Sequence, residues 1–193
     1  EPFNDPVSQR DGVQLRRRML EEGQDLPDDE LETLIDLYDG EIRYTDAQIG
    51  RLLEGLDDQW DDWTAVITAD HGEEFLEHGQ FAHHNTFHDE VTHVPLIVYD
   101  GGDSSGVHDE MVGLLDLAPT FADRAGGEIP DTFYGHSLAP LLDGAGEWER
   151  EAVRGCWGNP PDGPPRFACR DRRWKYIRDH EDDSDQPSDL DAD

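Results

Sequence analysis

The 193 residues suffice for one domain with a real core, and their charge is extreme: 47 acidic against 15 basic side chains, a formal net charge of −32. The acids spread along the whole chain, and periodic segments survive among its 35% hydrophobic residues, which argues against a disordered acidic polymer. Such a surface is expected of a salt-loving organism, where the Debye length shrinks to about 3 Å at molar salt, and it disfavours nucleic acid and anionic membranes as partners.

Residues 1–26 read as irregular apart from a short helical patch at 14–22, and the opening Glu1-Pro2-Phe3-Asn4-Asp5-Pro6 has two prolines and no initiator methionine. From Pro27 the pattern changes. Apolar side chains recur at Leu31, Leu34, Ile35, Tyr38, Ile42, Ile49, Leu52, Leu53 and Leu56. Spacings of three and four predict one long amphipathic helix, with Gly40 as a candidate break. Pro27 suits its first turn, and Asp28-Asp29-Glu30 favour the positive end of its dipole. Gly55 and the acidic run 57–62 end it.

Thr64-Ala65-Val66-Ile67-Thr68-Ala69 then reads as a buried parallel strand that delivers Asp70 and His71 to its C-terminal tip. In open α/β sheets that edge is where ligands bind. Gly72 lets the backbone turn sharply beside it. A polar, histidine-rich loop follows to His93, and a second strand covers 94–99, its Pro95 tolerable at a strand entrance. Helix returns over 111–125 with Leu114, Leu115, Leu117 and Phe121 on its apolar side. The order helix, strand, loop, strand, helix fits an α/β sheet. The final third differs: a short helix at 137–142 leads to strands at 153–157, 166–170 and 174–178, a small antiparallel sheet. Residues 179–193 are acidic and apolar-poor, an end expected to fray. No apolar run approaches the ~18–20 residues of a membrane span and no signal peptide is visible, so the cytoplasm is the favoured compartment.

Six of the nine histidines fall between 71 and 93: His71, His78, His83, His84, His88 and His93. Imidazoles there can bind metal, donate to an anion or protonate a leaving group. Metal ligands need a rigid origin, so Asp70 and His71 are the best placed, both being good donors to a divalent cation. His88 and His93 suit packing or capping of the loop. Glu73 and Glu74 either orient His71 from behind or lie on a solvated face. Arg166, Arg170, Arg172, Arg173, Lys175 and Arg178 form a basic cluster that either receives an anion or makes local salt bridges on an exposed hairpin, the second being favoured. Arg16-Arg17-Arg18 reads the same way, as a solvated helix face. Cys156 and Cys169 are buried thiols, or a pair if their strands are neighbours.

Asp70-His71-Gly72-Glu73 after an apolar strand, then His78-Gly79, then Thr92-His93-Val94-Pro95-Leu96-Ile97-Val98, resembles the sulfatase family of the alkaline phosphatase superfamily. Tyr44-Thr45-Asp46-Ala47-Gln48-Ile49-Gly50-Arg51-Leu52-Leu53 is similar to the segment those enzymes carry before the strand. Leu115-Asp116-Leu117-Ala118-Pro119-Thr120, Gly135-His136-Ser137-Leu138 and Arg173-Trp174-Lys175-Tyr176-Ile177 match further family segments in the right order. The resemblance implies a three-layer α/β/α fold with a mostly parallel sheet, here incomplete, and a small C-terminal antiparallel α+β subdomain. Residues 1–145 would be the C-terminal part of the α/β domain, 146–178 the subdomain and 179–193 an acidic tail. It implies sulfuric ester hydrolysis, with Asp70 and His71 as ligands of a divalent metal, calcium before manganese or zinc. Counting back from Pro95, His84 takes the slot of the residue that contacts the sulfate, with His83 as a substitute. The substrate would be a small-molecule or saccharide sulfate ester.

The family's nucleophile, a Cys or Ser in a Cys/Ser-x-Pro/Ala-x-Arg motif, is missing, since Cys156-Trp157-Gly158 and Cys169-Arg170-Asp171 both fail it. Residues 1–3 resemble the stretch after an active-site histidine, so the chain looks like the C-terminal portion of a sulfatase whose N-terminal half is its missing partner. Two ligands seldom hold calcium, which takes six to eight oxygens, so the chain alone is expected to be inactive. A phosphatase, phosphonate hydrolase or phosphotransferase of the superfamily is the rival reading, and a non-catalytic metal- or partner-binding remnant is another.

Overall fold

The computed structural model describes residues 6–20, 26–60, 63–83, 86–99, 105–144, 146, 148–157, 165–180 and 183–191. They fall into two compact units, Glu1–Asp103 and Ser104–Asp193. In the first unit, α1 (Pro6–Leu20) packs on α2 (Asp28–Asp57). α1 is longer than its weak periodicity suggests. Of the arginine run, Arg16 and Arg17 are exposed, whereas Arg18 pairs with Glu30 at 2.7 Å. α2 runs 30 residues without a break; Gly40 is buried inside it, and Leu34 is its other buried residue.

α2 ends where a strand pair begins, and Asp57 ties the two together. Its Oδ1 accepts from Trp63 Nε1 and from the Tyr99 hydroxyl, each at 3.1 Å, while the Trp63 and Tyr99 rings lie 4.6 Å apart. β1 (Ala65–Thr68) pairs with β4 (Leu96–Tyr99), the latter lying within the expected 94–99 strand. The pairing is antiparallel, Ala65 opposite Tyr99 and Thr68 opposite Leu96, not the parallel pairing expected of β1. A parallel return needs a crossover, usually a helix. The intervening segment instead carries a small hairpin, β2 (Glu74–Phe75) with β3 (Phe81–Ala82), and a single helical turn, α3 (Asp89–Thr92), so the chain re-enters running the other way. Every strand pair among the described residues is antiparallel. β1 is correspondingly half-buried rather than enclosed. An aromatic file, Tyr38 on Phe75 (5.3 Å) and Phe75 on Phe81 (5.7 Å), fixes the hairpin to α2.

In the second unit, the helix expected at 111–125 opens as a 3₁₀ turn, Leu114–Asp116, and continues as α4 (Leu117–Arg124). Its buried side is not the leucine face: Leu114, Leu115 and Phe121 are exposed, and Asp116, Pro119 and Thr120 are buried. Hydrogen bonding decides this. Asp116 accepts from the backbone N–H of Gly113 and of His136, each at 2.8 Å, and Arg150 grips both its carboxylate oxygens, one at 2.7 Å. Thr120 Oγ1 accepts from Leu138 N–H at 2.8 Å and donates to the Asp116 carbonyl. Gly135 is required because a Cβ there would lie 1.9 Å from the Leu115 carbonyl oxygen. The motif is thus a polar keystone joining the 3₁₀ turn to α5 (Ala139–Leu142) and to Arg150.

The small sheet follows as expected, in order β5 (Val153–Trp157), β6 (Arg166–Arg170), β7 (Trp174–Asp179), β8 (Ser184–Asp189), antiparallel throughout. One face buries Ala168, Lys175, Ile177 and Asp179. β8 corrects the expectation of a frayed end: cross-strand ion pairs, not apolar burial, hold it. Arg178 pairs with Asp185 at 2.7 Å and Arg173 with Asp189 at 2.8 Å, and Arg166 meets Asp179 at 2.6 Å. The basic cluster therefore makes local salt bridges. Both cysteines are free, because Cys156 lies opposite Phe167 and Cys169 opposite Arg154. No helix among the described residues is long and apolar enough to cross a membrane.

Candidate functional site

β1 ends at Thr68, and Asp70 and His71 lie just beyond its tip. The Asp70 carboxylate accepts its neighbour's backbone N–H, His71 N to Oδ1 at 3.0 Å, and its side chain is 90% exposed. His71 Nδ1 lies 2.9 Å from the Gly72 carbonyl oxygen. A carbonyl only accepts, so Nδ1 carries the proton and Nε2 carries the lone pair. Nε2 sits 3.8 Å from Asp70 Oδ1, a gap that two bonds of ~2.0–2.6 Å to one divalent cation can close. The pair fits as two ligands of a metal ion and no more: among the described residues no three His, Cys, Asp or Glu side chains converge on such a point.

Gly72 holds this tip in place for a reason other than the sharp turn expected of it. Its N–H donates to the Val91 carbonyl at 2.8 Å, and a Cβ would lie 2.0 Å from the Glu90 carbonyl oxygen. Only a glycine lets α3 lie this close to the strand tip.

The histidine loop folds into two stacked imidazole pairs. His83 stacks on His71 with ring centroids 4.0 Å apart, and its Nδ1 lies 3.3 Å from Glu73 Oε1. Glu73 therefore orients His83, not His71. His78 stacks on His88 at 3.7 Å, and its Nε2 lies 3.2 Å from Glu90 Oε2. His88 sits at the N-cap of α3 without a side-chain bond to the helix, and His93 at its C-cap, where its backbone N–H donates to the Asp89 carbonyl at 2.8 Å. His84 lies outside the described residues; His83, the other candidate for the sulfate-contacting role, is stacked on His71.

Two features escaped the sequence reading. Arg150, between two glutamates, has no periodic signal, yet it completes the buried Asp116 pair. Glu74, expected behind His71 or in solvent, is fully buried, and burial holds its carboxyl above the ordinary value. The N–H groups of His78 and Gln80 oppose that shift only in part. Adjacent acidic residues ordinarily read as solvated, and a two-residue strand is too short to show a period.

The sequence matches the family Sulfatase over residues 3–127 and the family N-sulphoglucosamine sulphohydrolase, C-terminal, over residues 76–193. It is 28% identical over 164 residues to arylsulfatase K of Mus musculus, covering 78% of this chain and 29% of the relative. It is 30% identical over 145 residues to choline-sulfatase of Rhizobium meliloti (strain 1021), covering 72% and 28%. The chain thus spans about three tenths of the length of these relatives. Among solved structures it is similar to the phosphonate monoester hydrolase SpPMH from Silicibacter pomeroyi, with a TM-score of 0.79, 28% identity and coverage of 88% of this chain and 37% of that one. It is also similar to BT4656, solved with its substrate D-glucosamine-2-N,6-O-disulfate, with a TM-score of 0.69, 25% identity and coverage of 92% and 39%. These neighbours have α/β folds of the sulfatase and alkaline phosphatase kind. Two family matches that together run from residue 3 to residue 193 leave one conclusion: this chain belongs to the sulfatase family.

Proposed function

We propose that the chain is the C-terminal portion of a hydrolase that cleaves small-molecule or saccharide sulfate esters, and that Asp70 and His71 are half of its metal site. The observation that carries this is the strand-tip pair with Nε2 of His71 turned into a ligand by the Nδ1 bond to Gly72. A bound divalent cation, calcium before manganese or zinc, supplies neutralisation of the negative charge on the ester. Asp70 offers a carboxylate oxygen and His71 a fixed imidazole nitrogen. His83, its Nδ1–H turned to Glu73 and its ring stacked on His71, leaves Nε2 for the substrate, where the protonated ring donates to a sulfate oxygen or to the leaving oxygen. His84 remains the candidate by position in the family pattern.

The remaining ligands and the nucleophile then come from an N-terminal half that also completes a three-layer, mostly parallel α/β/α domain over residues 1–145. Exposed apolar side chains support this: Ile42 and Leu52 on α2 and Ile97 on β4 are each more than half exposed. The domain bounds 146–178 and 179–193 stand as family-level divisions on the same footing. The excess of acid over base, −32, fits an organism that keeps molar salt.

Purified alone, the 193-residue chain is expected to show no turnover of an aryl sulfate; measurable turnover overturns the half-site reading. The enzyme containing this chain is expected to prefer a sulfate ester to a phosphonate monoester of the same alcohol. A second reading, phosphonate or phosphate ester hydrolysis, is favoured by the 0.79 TM-score likeness to a phosphonate monoester hydrolase, and the reverse preference would establish it. A non-catalytic remnant would instead bind calcium at micromolar concentration without any partner.

A further inference from the structure

We infer that Glu74 is a positioning residue: its buried carboxyl clamps the turn between β2 and β3, and through that turn sets the backbone at Ala82 that carries His83 onto His71. The clamp is local and fully drawn. Glu74 and Ala82 are cross-strand partners, and both are completely buried. Oε1 of Glu74 accepts from the backbone N–H of His78 at 3.2 Å and of Gln80 at 3.3 Å. The turn's other bonds are Leu76 N to the Gln80 carbonyl at 2.9 Å, Gly79 N to the Leu76 carbonyl at 3.0 Å and Phe75 N to Glu77 Oε2 at 2.5 Å.

This turn needs a clamp because its backbone is unfavourable. Leu76 has φ 75° and Ala82 has φ 72°, a left-handed conformation that side-chain-bearing residues adopt only when their surroundings impose it. Ala82 directly precedes His83, whose ring lies 4.0 Å from that of His71. Released from Glu74, Ala82 would relax toward an ordinary strand conformation and His83 would leave the stack.

The second carboxylate oxygen, Oε2, is buried with no hydrogen-bond partner among the described residues. An ionised Glu74 would leave charge on that oxygen in a dry place, so the neutral acid is the form that suits the clamp. Burial raises the carboxyl's proton affinity, and Glu77 adds to the effect. The His78 and Gln80 N–H groups and the charge of His78 act the other way. Beyond these, Glu90 of α3 meets His78 and Tyr38 of α2 meets Phe75. With the folded value raised, the folded hairpin is most stable in acid and loses stability as pH rises through that value, because the cost of burying the charge outweighs the two N–H bonds that favour it.

The catalytic meaning of the clamp rests on the reading of His71 and His83 given above; the clamp itself does not. The test is amide hydrogen exchange and histidine ring contacts measured by NMR on the whole chain, with no metal or substrate present. Glu74→Leu is expected to lower the protection factors of the His78 and Gln80 amides by about 10-fold or more and to abolish the His71–His83 ring contact. Glu74→Gln keeps an acceptor and is neutral at every pH. It is expected to retain both signals and to remove the decline in protection expected of the native chain as pH rises above the ordinary glutamate range. Unchanged protection and ring contact in Glu74→Leu would overturn the proposal. If that variant does not fold, a native pH decline that persists in Glu74→Gln overturns it. An enzyme indifferent to loss of Asp70 would sink the sulfatase site but leave these readouts untouched.

Discussion

A single buried carboxylate, Asp116, accepts four hydrogen bonds from three places in the chain, Gly113, His136 and Arg150. With Arg150 only 9% exposed and Asp116 wholly buried, removal of the cation strands a charge in a dry site. Arg150→Met is therefore expected to cost about 3–5 kcal/mol, measured by urea unfolding of the chain; a loss under ~1 kcal/mol would show the pair to be solvated and incidental. Gly72→Ala is expected to disturb the site without touching any ligand, because the new methyl would meet the Glu90 carbonyl oxygen at 2.0 Å. Loss of the 2.8 Å Gly72–Val91 bond, read as faster exchange of the Gly72-position amide, checks it. At this scale the place of Asp70 and His71 just beyond a strand was legible, because a β-branched run that stops at two polar residues marks a strand tip. The His71–His83 stack was not, because it depends on a left-handed alanine 11 residues downstream of the ligand, and no local propensity announces that.

The C-terminal sheet shows what a strand can be built from when apolar residues run out. β8 reads Ser-Asp-Gln-Pro-Ser-Asp and is exposed over most of its length. Tyr176 donates to Asp185 Oδ1 at 2.5 Å, and Arg178 adds a second bond at 2.7 Å, so this carboxyl is held below its ordinary value. Arg173 does the same for Asp189. A depressed carboxyl stabilises the fold above its unfolded value and loses that contribution as pH falls through the folded one. Protection of the β7–β8 amides is thus expected to drop below about pH 4 before that of β5–β6, and Asp185→Asn is expected to narrow the difference. Equal loss in both pairs would contradict it. The strands β5, β6 and β7 were legible from β-branched and aromatic residues between turn residues. β8 was not, because its pairing is written in charges that look like a solvated face until the register brings Arg178 opposite Asp185 and Arg173, just before β7, within reach of Asp189. The antiparallel return of β4 was hidden for another reason: an apolar run fixes that a strand exists, not which way its neighbour runs.

Across the molecule, a net charge of −32 repels itself at ordinary ionic strength, and salt screens that repulsion. Raising KCl from about 0.1 M to about 2 M is expected to raise the thermal midpoint of the chain; an unchanged or lower midpoint would count against a halophilic origin. The composition and ordered motifs made the family legible, whereas the half-buried β1–β4 pair and the exposed Ile42, Leu52 and Ile97 became visible only once the fold was known. Those surfaces and the Asp70–His71 pair at the strand tip support the same proposal, of a site that this chain supplies in part. The most direct measurement is aryl sulfate turnover by the enzyme that contains this chain, native against Asp70→Asn. The account predicts a loss of about 100-fold or more, with partial recovery in excess calcium; turnover undiminished by the substitution would contradict it.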